Sequence, residues 1–79
     1  MPDSNRLGKL HWLCRRGMKE LDVLLEAFLS REEQALREGR WPELERLLLE
    51  EDDLLWRWVL APEQCTRFPQ LIHAIVNRT

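Results

Sequence analysis

The fold class of this chain is decided by the stretch LDVLLEAF (residues 21–28). Its leucines and its phenylalanine recur at intervals of three and four residues, with charged residues between them. This spacing puts apolar side chains on one face of an α-helix, whereas a strand would alternate them at every second residue. The pattern predicts an amphipathic helix that continues through Leu36 and stops at Gly39.

The same periodicity extends toward the N-terminus. Residues 7–14 carry Leu7, Leu10, His11 and Cys14 at helical spacing and predict a first helix. Asp3 or Ser4 is expected to cap its beginning, since both residue types are favoured N-caps. Gly17 interrupts this helix, and a glycine just past a helix end often supplies the left-handed residue that closes it.

Three further short helices are predicted toward the C-terminus. Pro42 suits the first position of one helix, where its missing N–H costs nothing. Asp52 or Asp53 can cap the next helix, which ends at Pro62, and Pro69 is tolerated in the first turn of the last. Their apolar stripes are Leu44, Leu47 and Leu48; Leu54, Leu55, Trp58 and Val59; and Phe68, Leu71, Ile72, Ile75 and Val76.

Five short amphipathic helices with short connections can bury their stripes only against each other. The sequence therefore predicts an all-α protein, a compact bundle of about five short helices, with residues 1–79 as a single domain. A chain of 79 residues buries only about 60% of the surface that its unfolded state exposes. Such a size favours a surface that docks onto a larger partner over an enclosed substrate pocket.

Charge is distributed unevenly along the chain. The net charge is −2, from 12 basic and 14 acidic residues, which does not indicate a nucleic-acid binder. Residues 1–20 nevertheless hold five basic against two acidic residues, and residues 26–53 hold ten acidic against four basic. We expect an electrically lopsided molecule, which orients docking more than it determines fold.

The N-terminus lacks the continuous apolar stretch of a signal peptide, and no run approaches the roughly 18 apolar residues of a membrane span. Without a leader, Cys14 and Cys65 are expected to be reduced, buried thiols in a cytoplasmic protein that does not insert into membranes.

Metal and catalytic sites are not predicted. The two cysteines, His11 and His73 could in principle bind zinc or form a nucleophilic pair, but neither zinc spacing nor a local catalytic signature is present. The acidic run at residues 50–53 lacks the alternating ligands and the glycine of a calcium loop.

The four tryptophans are more informative. On a helix, Trp56 and Trp58 point about 200° apart, so both cannot face one core. Trp12 also falls off the first apolar stripe. Tryptophan outside a core is common at interfaces, but a small protein also uses large rings to fill gaps, and the sequence leaves both interpretations open.

Residues 15–22 are the densest polar segment. Its basic residues before Gly17, and Glu20 and Asp22 after it, suit a hinge between two helices. Capping does not explain why Arg16 and Glu20 flank a glycine beside which another backbone can approach closely.

The stretch HWLCRRGMKELD (residues 11–22) resembles the signature of the succinate dehydrogenase FAD assembly factor family. The family hallmark Arg-Gly-x-x-Glu stands here at Arg16, Gly17 and Glu20. The preceding His-Trp-x-Cys-Arg and the following Leu-Asp make the match specific, and the similarity continues through most of the chain.

The resemblance implies a five-helix, non-enzymatic chaperone. It would bind the flavoprotein subunit of succinate dehydrogenase, and of fumarate reductase in some bacteria, and promote covalent attachment of FAD to a histidine of that client. The flavin chemistry would belong to the client and its FAD, so no cofactor of its own is expected.

By carry-over from the hallmark, Arg16, Gly17 and Glu20 are expected to face the client. The residues expected to make edge contacts are His11, Trp12, Arg15 and Asp22. A monomer is expected. The alternative function is an antitoxin-like regulatory module that binds another protein, a label attached to some members of this family.

Overall fold

A computed structural model describes residues 2–77 of the chain, with side chains from Arg6 onward. The helices are α1 (Pro2–Leu13), α2 (Lys19–Arg31), α3 (Glu33–Arg37), α4 (Leu44–Leu48), α5 (Asp52–Leu60) and α6 (Pro69–Val76), with a 3-10 helix at Pro62–Gln64. The all-α prediction is confirmed, since residues 2–77 contain no strand. Within the same residues, no helix has the length and apolar character needed to cross a bilayer.

Each α-helix contributes to one buried apolar cluster. The predicted stripe of α2 is confirmed, because Leu21, Leu24, Leu25 and Phe28 are all buried. The first stripe is confirmed at its leucines and Cys14, but His11 is exposed. Among the described side chains, no polar or charged residue falls in the buried class, so the core is held together by apolar packing.

The predicted second helix is divided in two. Glu32 leaves helical geometry, with φ −104° and ψ 17°, although its N–H still donates to Phe28 O and its carbonyl still accepts from Leu36 N–H. The result is a bend, and it lets α2 pack against α6 while α3 packs against α1. Residues 31–33 contain neither glycine nor proline, and the apolar periodicity continues across them. The sequence therefore contains no indication that the helix bends there.

Two predicted helix boundaries at the N-terminal end were wrong. α1 begins at Pro2, so Asp3 and Ser4 lie inside the helix instead of before it, and their side chains lie outside the described part. α1 ends at Leu13, four residues before Gly17. Gly17 does adopt a positive φ of 85°, but it belongs to the approach to α2 and does not close α1.

The prolines and aspartates of the C-terminal half are placed partly as predicted. Pro69 begins α6, and Pro62 follows the end of α5, as expected. Pro42 instead lies in a turn two residues before α4. The N-cap of α5 is Glu51, with extended backbone and no side-chain cap, so Asp52 and Asp53 occupy the first turn and do not cap the helix.

The Arg6 side chain fastens α1 to the region between α3 and α4. Its Nε donates to Glu45 at 2.9 Å, and its terminal nitrogens donate to the carbonyls of Leu36, Arg40 and Trp41 at 2.6–2.8 Å. The guanidinium therefore adds a donor to the carbonyls of Leu36 and Trp41, which also accept from Gly39 N–H and Leu44 N–H, and it binds the Arg40 carbonyl in the turn.

We predict that this pair makes stability depend on pH in the acidic range. Partial burial acts to raise the pKa of Glu45, but the hydrogen bond and charge of Arg6 outweigh it and hold the pKa below its usual value of 4.5. The pair therefore stabilises the fold above pH 4.5, and this contribution is lost as pH falls through the lower folded pKa. Glu45→Gln should lower the free energy of unfolding at neutral pH by about 1 kcal/mol or less.

Urea denaturation at neutral and acidic pH measures this effect. Glu45→Gln should lose less stability than the wild type between pH 4.5 and more acidic conditions. Glu63→Gln, at an exposed glutamate in the 3-10 helix, is the matched control. An acid slope in Glu45→Gln equal to that of the wild type would contradict the account.

Candidate protein-docking site

The loop at residues 14–18 joins α1 to α2 and carries the hallmark glycine. α1 closes with Arg15 N–H donating to Trp12 O at 3.2 Å. Gly17 then takes a φ of 85°, a conformation that side-chain-bearing residues rarely adopt. A Cβ at Gly17 would meet no atom within 4 Å. The backbone conformation, and not crowding, therefore calls for glycine, and the space beside it is open to another chain.

Asp22 holds this loop from the first turn of α2. Its carboxylate accepts from Arg16 N–H at 2.9 Å and from Gly17 N–H at 3.2 Å, and its own N–H donates to Met18 O at 2.8 Å. The carboxylate thus caps two loop amides that would otherwise lack partners. Asp22, predicted as an edge contact, is directed toward its own chain.

The Arg16 side chain is also bound within the chain. Its Nε donates to Asp52, and its terminal nitrogens donate to the carbonyls of Leu13, Leu48 and Glu50 at 2.9, 2.6 and 2.6 Å. Only 12% of the side chain is exposed. The guanidinium joins the end of α1 to the end of α4 and the first turn of α5, using the planar donor geometry that lysine lacks.

The other predicted contact residues are exposed to solvent. Gly17 and Glu20 are both exposed, and Trp12 is 75% exposed. Arg15 is exposed, and its side chain has no hydrogen-bond or ion-pair partner among residues 6–77. His11 is exposed, and its Nδ1 lies 2.8 Å from Glu26 Oε1.

These residues surround separate clefts. His11, Arg15, Gly17 and Asp22 line one cleft, together with Cys14 and Glu26. Trp12, Arg15 and Arg16 line a second with residues of α4 and α5. Glu20 opens onto another cleft, between α2 and α5. The structure therefore brings the predicted residues together around one loop, but on different sides of it.

The sequence reasoning missed several side chains at these clefts. Asp52 was predicted to cap the next helix and to belong to a solvated acidic run, but its carboxylate binds Arg16. Leu49, 73% exposed, lines the cleft of Trp12, and Leu60, 66% exposed, lines that of Glu20. An apolar residue off its helix stripe was the available signal for Leu49 and Leu60, but periodicity alone does not say which clefts they join.

The tryptophans support both interpretations that the sequence left open. Trp58 is buried and meets Phe68 edge-on at 6.1 Å between ring centroids, and Trp41 meets Phe28 similarly at 5.9 Å. Trp58 therefore fills part of the core, and the half-buried Trp41 packs against it. Trp12, in contrast, remains on the surface.

The thiols do not offer a nucleophile. Cys14 and Cys65 are both buried and free, as predicted. Burial, reinforced by the nearby Glu26 charge, raises the pKa of Cys14 to about 12, so this thiol is protonated at neutral pH. Among the described side chains, no three histidine, cysteine or acidic groups converge as a metal site.

We predict that the thiols of the folded protein resist modification. A chromogenic disulfide reagent at neutral pH should leave Cys14 and Cys65 unreacted in the native protein and titrate both after denaturation, because both are buried. Rapid stoichiometric reaction of the native protein would contradict the assignment of Cys14 as a buried, protonated thiol.

We predict that Arg16 is required for stability. Arg16→Ala leaves the Asp52 carboxylate and three carbonyls without this donor, and should lower the free energy of unfolding by roughly 2–4 kcal/mol. Arg16→Lys should cause a smaller loss in the free energy of unfolding, because a single ammonium group cannot make all the hydrogen bonds of the planar guanidinium. Arg15→Ala, at the exposed neighbour, should change it by less than about 0.5 kcal/mol. Equal urea midpoints for Arg16→Ala and Arg15→Ala would refute the role of Arg16.

Comparison with known proteins gives a family. Residues 8–79 match the family described as the flavinator of succinate dehydrogenase. The FAD assembly factor SdhE of Xylella fastidiosa (strain 9a5c) is 42% identical over 65 residues, covering 82% of this chain and 67% of the relative. The FAD assembly factor SdhE of Coxiella burnetii (strain RSA 493 / Nine Mile phase I) is 39% identical over 70 residues, covering 85% of this chain and 84% of the relative.

A third relative, the FAD assembly factor SdhE of Legionella pneumophila (strain Paris), is 37% identical over 62 residues and covers 78% of each chain. No solved structure gives a significant match. The resemblance seen in residues 11–22 is confirmed over nearly the whole sequence. The chain belongs to the flavinator of succinate dehydrogenase family.

Proposed function

We propose that this protein is an assembly factor that binds the flavoprotein subunit of succinate dehydrogenase and promotes covalent attachment of FAD to it. The observation that carries the proposal is the family match over residues 8–79, which includes the hallmark residues Arg16, Gly17 and Glu20. The flavoprotein subunit of fumarate reductase is a second candidate client. A cytoplasmic monomer that is not an enzyme and has no cofactor of its own completes the proposal.

The arrangement of the loop at residues 14–18 supports a docking role. Arg16 and Asp22 bind within the chain and fix the loop. Gly17 leaves open space beside the backbone, and Glu20 presents an exposed carboxylate in the first turn of α2. A loop held in this way has little freedom to lose on binding, which favours affinity.

A docking factor can accelerate flavin attachment without reacting itself. Covalent attachment requires the flavin and the client histidine to meet in a near-attack geometry. A factor that binds the competent client conformation more tightly than other conformations increases the population of that conformation. The chemistry then remains with the client and its FAD, while this chain supplies binding energy.

Co-expression with the flavoprotein subunit tests the proposal. In a host that lacks its own assembly factor, this chain should increase covalent flavin several-fold, scored as fluorescence of the subunit on a denaturing gel. Glu20→Ala should remove most of the gain without changing the urea midpoint, because Glu20 is exposed and makes no contact that the fold requires. Glu63→Ala, at another exposed glutamate, is the matched control.

Alanine substitutions at two glycines distinguish an effect on client docking from an effect of backbone strain. Gly17 and Gly39 both have positive φ, 85° and 91°, and a Cβ at either would meet no atom within 4 Å. Alanine at each should therefore cost a similar free energy of unfolding, about 1–2 kcal/mol. Only Gly17→Ala should lower covalent flavin at a temperature where both variants are folded.

Covalent flavin that is the same with and without this chain would contradict the proposed function. An unchanged gain in both Glu20→Ala and Gly17→Ala would leave the function in place but would remove the loop from the client site. The antitoxin-like alternative predicts no gain in covalent flavin and suppression of a toxin's growth defect that does not depend on flavin.

A further inference from the structure

Four large apolar side chains are exposed among the described residues, and they divide into two pairs. Trp12 and Leu49, 75% and 73% exposed, line a cleft between α1 and α4. Val23 and Leu60, 60% and 66% exposed, line a cleft between α2 and α5. Exposed apolar side chains that line one cleft form a patch of the kind at which another molecule can bind.

The cleft between α2 and α5 is the more apolar of the two, and we refer to it as the α2–α5 groove. It is formed by Val23 and Leu24 from α2 and by Trp56, Val59 and Leu60 from α5. Trp56 and Val59 are only partly buried against the core. A half-buried tryptophan between aliphatic side chains is the composition of a binding hot spot.

The rim of the α2–α5 groove carries the hallmark glutamate. Glu20 and Lys19 line the groove, and both also line an adjoining cleft that again includes Trp56. A molecule that contacts Glu20 is therefore brought against Trp56. Glu20 is exposed, and its side chain has no hydrogen-bond or ion-pair partner among residues 6–77. Its carboxylate is available to a cation from another chain.

We propose that the α2–α5 groove receives an apolar side chain of the client flavoprotein subunit, adjacent to a basic client residue that pairs with Glu20. The proposal rests on the proposed function and extends its site from the loop at residues 14–18 to α5. Charge complementarity favours a client segment with a basic residue, because the exposed Glu20 carboxylate attracts a basic residue and repels an acidic one. Lys19, on the same rim, can accept an acidic neighbour of that residue.

The cleft between α1 and α4 is a weaker candidate for this segment. Its charged side chains include Arg16 and Asp52, which already bind each other. The remaining charge there is Arg15, a cation, which would repel the basic residue that Glu20 requires. The two clefts therefore select client segments of opposite charge.

Binding measurements with the isolated flavoprotein subunit test the proposal. Val23→Gln combined with Leu60→Gln should raise the Kd for the subunit at least tenfold, because both side chains would lose burial in the complex. Glutamine is well accepted in helices and both positions are exposed, so the urea midpoint should not change. Leu49→Gln is the matched control and should bind within twofold of the wild type.

The basic partner of Glu20 is tested through the effect of salt. Wild-type binding should weaken as salt increases, because an exposed ion pair is screened. Glu20→Gln should bind more weakly than the wild type at low salt and should depend less on salt. An unchanged salt dependence in Glu20→Gln would overturn the charge pairing.

The possible results distinguish a failure of the proposed function from a failure of the α2–α5 groove as the client site. If the wild-type chain neither binds the subunit nor increases covalent flavin, the proposed function itself is wrong. If the wild type does both, and the Val23→Gln/Leu60→Gln variant binds as tightly, the groove is wrong and the function stands. If Leu49→Gln weakens binding instead, the client occupies the cleft between α1 and α4, and the assignment to the α2–α5 groove is overturned.

Discussion

The Arg16 guanidinium joins three helices at the point where the chain turns from α1 into α2. It binds the last residue of α1, the last residue of α4, and the junction that leads into α5. Because α4 is only five residues long, it has few hydrogen bonds of its own, and its end depends on such an outside donor. Leu55 and Trp58 pack α5 against the core, and the Arg16–Asp52 contact holds the first turn of α5 beside the ends of α1 and α4.

The hallmark residues therefore have two different roles, one structural and one at the exposed surface. Arg16 holds the framework, whereas Gly17 and Glu20 offer an open backbone and a free carboxylate. The charge asymmetry along the chain also contributes to the framework, through ion pairs between its basic and acidic parts. Arg6 and Arg16, from the basic N-terminal part, pair with Glu45 and Asp52 from the acidic part, so folding brings some of the opposite charges together. Long-range steering of a client is correspondingly weaker than the sequence suggested.

Local patterns predicted much of this structure, and contacts between distant residues explain what they missed. Helical spacing identified the buried leucines of α2, and the need for positive φ identified Gly17. The bend at Glu32 accompanies the packing of α2 against α6 and of α3 against α1, and residues 31–33 contain no glycine or proline that would predict it. Arg16 was read as a helix-end charge because Leu48 and Asp52, its partners, lie 32 and 36 residues further along the chain.

The central claim is that Arg16 serves the framework while its hallmark neighbours meet the client. The most direct measurement is a nuclear magnetic resonance titration of the isotope-labelled chain with the flavoprotein subunit, following backbone amides and the Arg16 Nε–H signal. The account predicts a protected Arg16 Nε–H that keeps its chemical shift, together with large changes at Gly17 and Glu20. A shifted or lost Arg16 Nε–H signal with unchanged Gly17 and Glu20 amides would contradict it.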